Sequence, residues 1–94
     1  MHGLVVRVNI ESGREAEAAE FLKATVLPAV KQSPGLVAAY WWQGSEGGQG
    51  SSLAVFDSEE AARGAAAMAS SGQVPMPDYV SMAGADVVEI QASI

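Results

Sequence analysis

Hydrophobic and polar positions alternate along the first segment of the chain. Leu4, Val6, Val8 and Ile10 fall on one face, while Val5, Arg7 and Asn9 fall on the other. A period of two over β-branched residues predicts a strand with one apolar and one mixed face. The period then lengthens. Ala18, Leu22, Thr25 or Val26, and Ala29 recur at three- and four-residue spacing, which predicts an amphipathic helix reaching about Gln32. Ser12-Gly13-Arg14-Glu15 has the form of a capping box at its start, Pro28 predicts a kink in its last turns, and Ser33-Pro34-Gly35 ends it. Leu36 to Gln43 is a second strand on which Leu36, Ala38, Tyr40 and Trp42 share one face and Val37, Ala39 and Trp41 the other. A Gly-rich loop over residues 44–50 leads to a third strand, Ser51 to Phe56, paired with the second as a hairpin.

Asp57 or Ser58 caps a second helix with an acidic first turn, Glu59-Glu60. Its face is small: Ala61, Ala62, Ala65, Ala66, Met68 and Ala69. Gly64 weakens it by about 1 kcal/mol relative to alanine. Residues 71–81, with Pro75 and Pro77, form a long connection of the kind often used as a lid. A last strand runs from Met82 to Ala92, with Val88, Ile90 and Ala92 alternating with Glu89 and Gln91. The order βαββαβ predicts one α+β domain over residues 1–94, ferredoxin-like. Its four-stranded antiparallel sheet carries two helices on one face.

Such an arrangement leaves the second sheet face open, and an open face should be polar. Here it receives Val5, Val87 and a tryptophan, either Trp41 or Trp42. An apolar patch of that kind on a small protein predicts association, and twofold packing of two sheets gives a dimeric α+β barrel. Size points the same way. Ninety-four residues without cysteine make a marginal core with no disulfide to support it.

Composition narrows the chemistry. The five Lys+Arg against eleven Asp+Glu, a net charge of −6, oppose binding to phosphate backbones. No apolar run is long enough to span a bilayer, and no secretion signal is evident at the N-terminus, so the expected compartment is the cytoplasm. The lone histidine, His2, and the lack of cysteine predict no metal site, and no cofactor motif is present.

The chain resembles the antibiotic-biosynthesis-monooxygenase-like superfamily of dimeric α+β barrels. The resemblance rests on the Val-rich first strand, Ser12-Gly13-Arg14, Val26-Leu27-Pro28 and Pro34-Gly35-Leu36. It rests also on the strand-to-helix junction Val55-Phe56-Asp57-Ser58-Glu59-Glu60-Ala61-Ala62, where relatives often have Trp in place of Phe56. These are turn, cap and packing motifs. The resemblance implies a pocket between helices and sheet and, in some members, cofactor-free oxygenation of aromatic polyketides. Other members degrade haem with a specific Asn, Trp and His, the His on the second helix. Here that helix has no His, and Asn9 stands two or three positions late.

No catalytic residue is identifiable in the sequence. The expected ligand-pocket residues are Asn9, Tyr40, Trp42, Phe56, Met68 and Tyr79, with Met76 and Met82 as further apolar lining. Those expected at the barrel or dimer face are Val5, Arg7, Trp41, Val87 and Glu89, with Glu89 a candidate partner for Arg7. Two functional expectations follow. One is a cofactor-independent monooxygenase acting on a small aromatic or polyketide-like substrate. The other is a non-catalytic homodimeric barrel that binds a small apolar ligand or only assembles.

Overall fold

The computed structural model describes residues 1–44, 48–71 and 76–94. Strands β1 (His2–Ile10), β2 (Leu36–Gln43), β3 (Gln49–Phe56) and β4 (Val80–Glu89) form one antiparallel sheet in the order β2-β3-β1-β4. Helix α1 runs as Glu15–Phe21, a π-helical stretch Leu22–Val26 and a final segment Leu27–Lys31; helix α2 is Glu59–Ser70. Both lie on the same side of the sheet. Each βαβ crossover skips one strand position, which seats β3 between β1 and β2.

The helix starts follow local chemistry. Ser58 caps α2, its hydroxyl accepting from the Ala61 N–H at 3.2 Å. The expected Ser12 cap of α1 does not form. Gly13 adopts a left-handed backbone (φ 86), which shifts the first helical residue to Glu15 and leaves Arg14 at the N-cap without a side-chain bond. The Glu15 carboxylate accepts instead from the Gly13 N–H at 2.8 Å. Pro28 has no N–H to give back along α1, and its ring crowds the preceding turn. The widened turns at Leu22–Val26 lie just ahead of it, where they relieve that crowding.

The strands depart from simple alternation at two bulges. On β2, Leu36 lies opposite Phe56 and Ala38 opposite Val55, so Val37 is skipped. The parity of β2 therefore reverses after Leu36. Ala39 and Trp41 point to the helix side, opposite Ala54 and Ser52, while Ala38, Tyr40 and Trp42 point to the open face. On β4, Gly84 pairs with Arg7 and Met82 with Val8, so Ala83 is skipped. Val87 lies opposite Leu4 and Ala85 opposite Val6 on the helix side. Strand β4 begins two residues earlier than expected and ends at Glu89.

The fully buried core is small: Leu4, Phe56 and Ala62. Val6, Ala54, Ala65 and Val87 pack around them, so the core sits where α2 lies on β1, β3 and β4. Nothing comparable lies beneath α1. Among the described residues no helix is long and apolar enough to cross a membrane.

Candidate functional site

The space under α1 is a cleft of about 420 Å³. Its floor is the helix-facing side of β3 and β1. On β3 the successive floor positions are Gly50, Ser52, Ala54 and Phe56. Three small residues leave room, and the large Phe56 closes the end next to α2. Trp41 stands beside Ser52 on β2 and forms a wall, while Ala18, Leu22 and Val26 of α1 form the roof. Met68, Met76 and Met82 line the cleft with flexible thioethers. The cleft thus combines an aromatic wall with soft apolar surroundings.

Polar groups are few. Ser52 lies mid-floor between Trp41 and Val6 by register, and its hydroxyl has no hydrogen-bond partner among the described residues. Among the described residues Glu15 is the one charged side chain in the lining, and its carboxylate accepts from the Gly13 N–H. Ser33, Gln43 and Ser51 complete the polar lining among the described residues.

One side of the cleft entrance is tied down. The Arg14 guanidinium lies 4.2 Å from the centre of the Tyr79 ring and grips Glu17 through two bonds of 2.7 Å. The Tyr79 carbonyl accepts from the Glu11 N–H at 2.8 Å. These contacts join the start of α1 to the start of β4. The hydrogen bond from Arg14 holds the Glu17 carboxyl below its ordinary range, and the same bond raises Arg14 further.

Several residues stand elsewhere than the sequence suggested. Trp41, expected at the dimer face, is the cleft tryptophan. Trp42 and Tyr40, expected in the pocket, are on the open face because the bulge at Val37 reverses their strand; Trp42 only borders the cleft. Asn9 is opposite Gln49 and Ser81, on the open face, since the apolar side of β1 is the one the helices cover. Tyr79 stays outside the cleft, held under Arg14. Val87 faces α2 rather than the open face, its place there being taken by Val88. Glu89 is on the helix side opposite His2, and His2 sits 3.9 Å from both Glu59 and Glu89. Arg7 pairs with Asp86 at 2.8 Å rather than with Glu89. Val5 and Arg7 are on the open face; Phe56 and Met68 border the cleft. The lid expected over residues 71–81 lies outside the described residues at 72–75.

Ser52 was not singled out from the sequence, yet a signal was present. Gly50, Ser52 and Ala54 occupy alternate positions where an apolar strand face normally carries larger side chains, and such a run marks space. Among the described residues no group of three or more His, Cys, Asp or Glu is arranged to hold a metal.

The same fold is found in solved structures. MhuD, a haem degrader from Mycobacterium tuberculosis seen with two haems in its active site, matches with a TM-score of 0.78 at 16% identity, over 100% of this chain and 99% of MhuD. SnoaB, a cofactor-independent oxygenase from Streptomyces nogalater, matches with a TM-score of 0.68 at 15% identity, over 99% and 95% of the two chains. The ActVA-Orf6 monooxygenase of Streptomyces coelicolor, in complex with nanaomycin D, matches with a TM-score of 0.63 at 16% identity, over 99% and 89%. No protein-family profile matches the chain, and no curated protein sequence does. The chain has the fold of the antibiotic-biosynthesis-monooxygenase-like proteins.

Proposed function

We propose that this protein binds a small, flat aromatic or polyketide-like molecule under α1 and oxygenates it without a cofactor, as a cytoplasmic homodimer. The observation that carries the reading is the apolar cleft of about 420 Å³ walled by Trp41. That volume and lining suit a small-molecule site. Similarity of fold to SnoaB and ActVA-Orf6 supports the choice of chemistry.

In this chemistry the substrate supplies the electrons and dioxygen accepts them. An activated CH₂ beside a phenol or carbonyl loses both hydrogens. One oxygen atom forms the new carbonyl, and the other leaves with the two hydrogens as water. The protein's part is to hold the ring against Trp41, to exclude water and to offer a hydrogen bond to the oxygen where charge develops.

Haem does not fit these residues. Iron is usually held by His, Cys, Met or Tyr. The sole histidine is beside Glu59 and Glu89, and neither Cys nor Tyr lines the cleft. Nor, among the described residues, does any Lys or Arg line it to meet the two propionates. The methionines alone would have to carry the group.

A second reading, binding without catalysis, is favoured by one observation. Among the described residues the cleft has one carboxylate and no histidine, and that carboxylate, Glu15, is drawn to the Gly13 N–H rather than aimed at the cleft floor, whereas proton abstraction needs a positioned acceptor. The homodimer is supported by the open face, where Tyr40 and Trp42 are each more than half exposed. Apolar groups so placed mark an interaction surface.

A thermal-shift panel of phenols, hydroquinones and anthrone-type compounds, followed by an oxygen electrode, tests the reading. The expected result is a raised melting temperature with one dioxygen consumed per substrate. Binding without oxygen uptake leaves the binder alone, and no binding across the panel overturns both.

A further inference from the structure

The cleft's few polar groups specify its ligand further. Ser52 sits mid-floor, with Trp41 beside it on β2 and Val6 on β1. Its neighbours along the same face of β3 are Gly50 and Ala54, so nothing on its own strand covers the hydroxyl. It is half-buried, and among the described residues it has no hydrogen-bond partner. Its oxygen is not sealed off, since no buried side-chain oxygen among the described residues is left unpartnered, so it is open to bond whatever enters the cleft. An alanine there would build the same floor without a hydrogen-bonding group. The charge around the cleft is equally one-sided. Among the described residues its lining has Glu15 and no cation, and the chain carries a net charge of −6.

We propose that the Ser52 Oγ is the orienting group of the cleft. It hydrogen-bonds one carbonyl or phenol oxygen of a neutral aromatic ligand stacked on Trp41, and carboxylate-bearing ligands are refused. The inference rests on the small-molecule reading above and names the ligand class of that same site. The hydroxyl both donates and accepts, so it serves a ketone or a phenol equally. Trp41 supplies contact area that tolerates any flat ring, and Ser52 decides which edge of the ring points at the sheet. A carboxylate would enter an apolar cleft whose described lining offers no cation to pair with and Glu15 to repel it.

The test compares 1-naphthol, naphthalene and 1-naphthoate on the full-length chain and its Ser52→Ala variant, with binding followed by calorimetry and tryptophan fluorescence. The wild type should bind 1-naphthol about fivefold more tightly than the variant does, the worth of one net hydrogen bond. Naphthalene, with no oxygen to hold, should bind the two proteins alike. The naphthoate should bind neither. Equal affinity of both proteins for 1-naphthol overturns the role of Ser52, as does a loss of naphthalene binding that matches the loss of naphthol. Naphthoate binding as tight as that of naphthol overturns the neutral class. If the wild type binds none of the three, the small-molecule reading itself has failed, which is a different result. Ser52→Ala removes a single oxygen from a floor already made of glycine and alanine, and its melting curve confirms that it folds.

Discussion

The bulge at Val37 makes a sharp prediction about two adjacent tryptophans. Trp42 lies on the open face and is 52% exposed, so roughly 130 Å² of its side chain stays uncovered in a lone protomer. Covering that area contributes about 3 kcal/mol per protomer at 25 cal/mol per Å². Twofold symmetry doubles it to about 6 kcal/mol for the dimer, an upper bound because association costs and imperfect fit subtract from it. If half survives, Trp42→Ser raises the dimer dissociation constant about a hundredfold. Trp41→Ser, on the other face, should leave association unchanged and remove the wall of the cleft. Sedimentation velocity over a wide concentration range reads the first effect, and ligand titration reads the second. The reasoning is refuted if Trp42→Ser associates as tightly as the wild type, or if Trp41→Ser is the variant that dissociates. A wild type that stays monomeric when concentrated refutes the open face as a dimer surface altogether.

Two further outcomes follow from single positions. Gly64 lies within α2, and a Cβ built there meets nothing within 4 Å, so Gly64→Ala should stabilise by about 1 kcal/mol. Calorimetry should show a melting temperature higher by roughly 4–8 °C. Glu17 has its carboxyl pulled below the ordinary range by Arg14, so its contribution is present above the unfolded carboxyl's pKa and is lost as pH falls through the lower folded value. Melting temperatures of wild type and Glu17→Gln should therefore differ slightly at neutral pH, the wild type higher, and converge in acid. A difference that widens as pH falls would contradict this sign.

The element order was legible because each strand or helix announces its own period. Leu4, Val6, Val8 and Ile10 leave no doubt which side of β1 is covered. Strand β2 differs, since both its faces are apolar. With Val37, Ala39 and Trp41 on one side and Leu36, Ala38, Tyr40 and Trp42 on the other, hydrophobicity does not register a skipped residue. The bulge is fixed only by pairing with β3, a long-range fact. The adjacent pair Val87 and Val88 hides the parity of β4 in the same way. The start of α1 was misread for a local reason: Ser12-x-x-Glu15 has the letters of a capping box, but the left-handed backbone at Gly13 takes Ser12 off the helix path. The cleft itself was half legible. The small side chains at Gly50, Ser52 and Ala54 carry a signal of space that reading β3 as a plain hairpin strand passed over, whereas the standing of α1 off the sheet follows from packing that no single segment encodes.

The cleft and the stability of the fold are one problem. The buried residues Leu4 and Phe56 lie under α2 and Ala62 is on its sheet-facing side, so the helix-side surface beneath α1 has little packed against it. A protein of this size has only a small margin of stability, and a ligand that fills the cleft adds the contacts that α1 does not make. Because the cleft exists only in the folded chain, binding stabilises by mass action, about 2.7 kcal/mol at a ligand concentration a hundredfold above its dissociation constant. For a domain of this length that amounts to roughly 10–20 °C in melting temperature. Each further tenfold in ligand adds about 1.4 kcal/mol, so the melting temperature should keep climbing in even steps per decade. The same series on Trp41→Ser separates a cleft ligand from a surface one. Loss of the wall should displace the series to higher ligand concentration, whereas a molecule lying elsewhere gives superimposable shifts in both proteins.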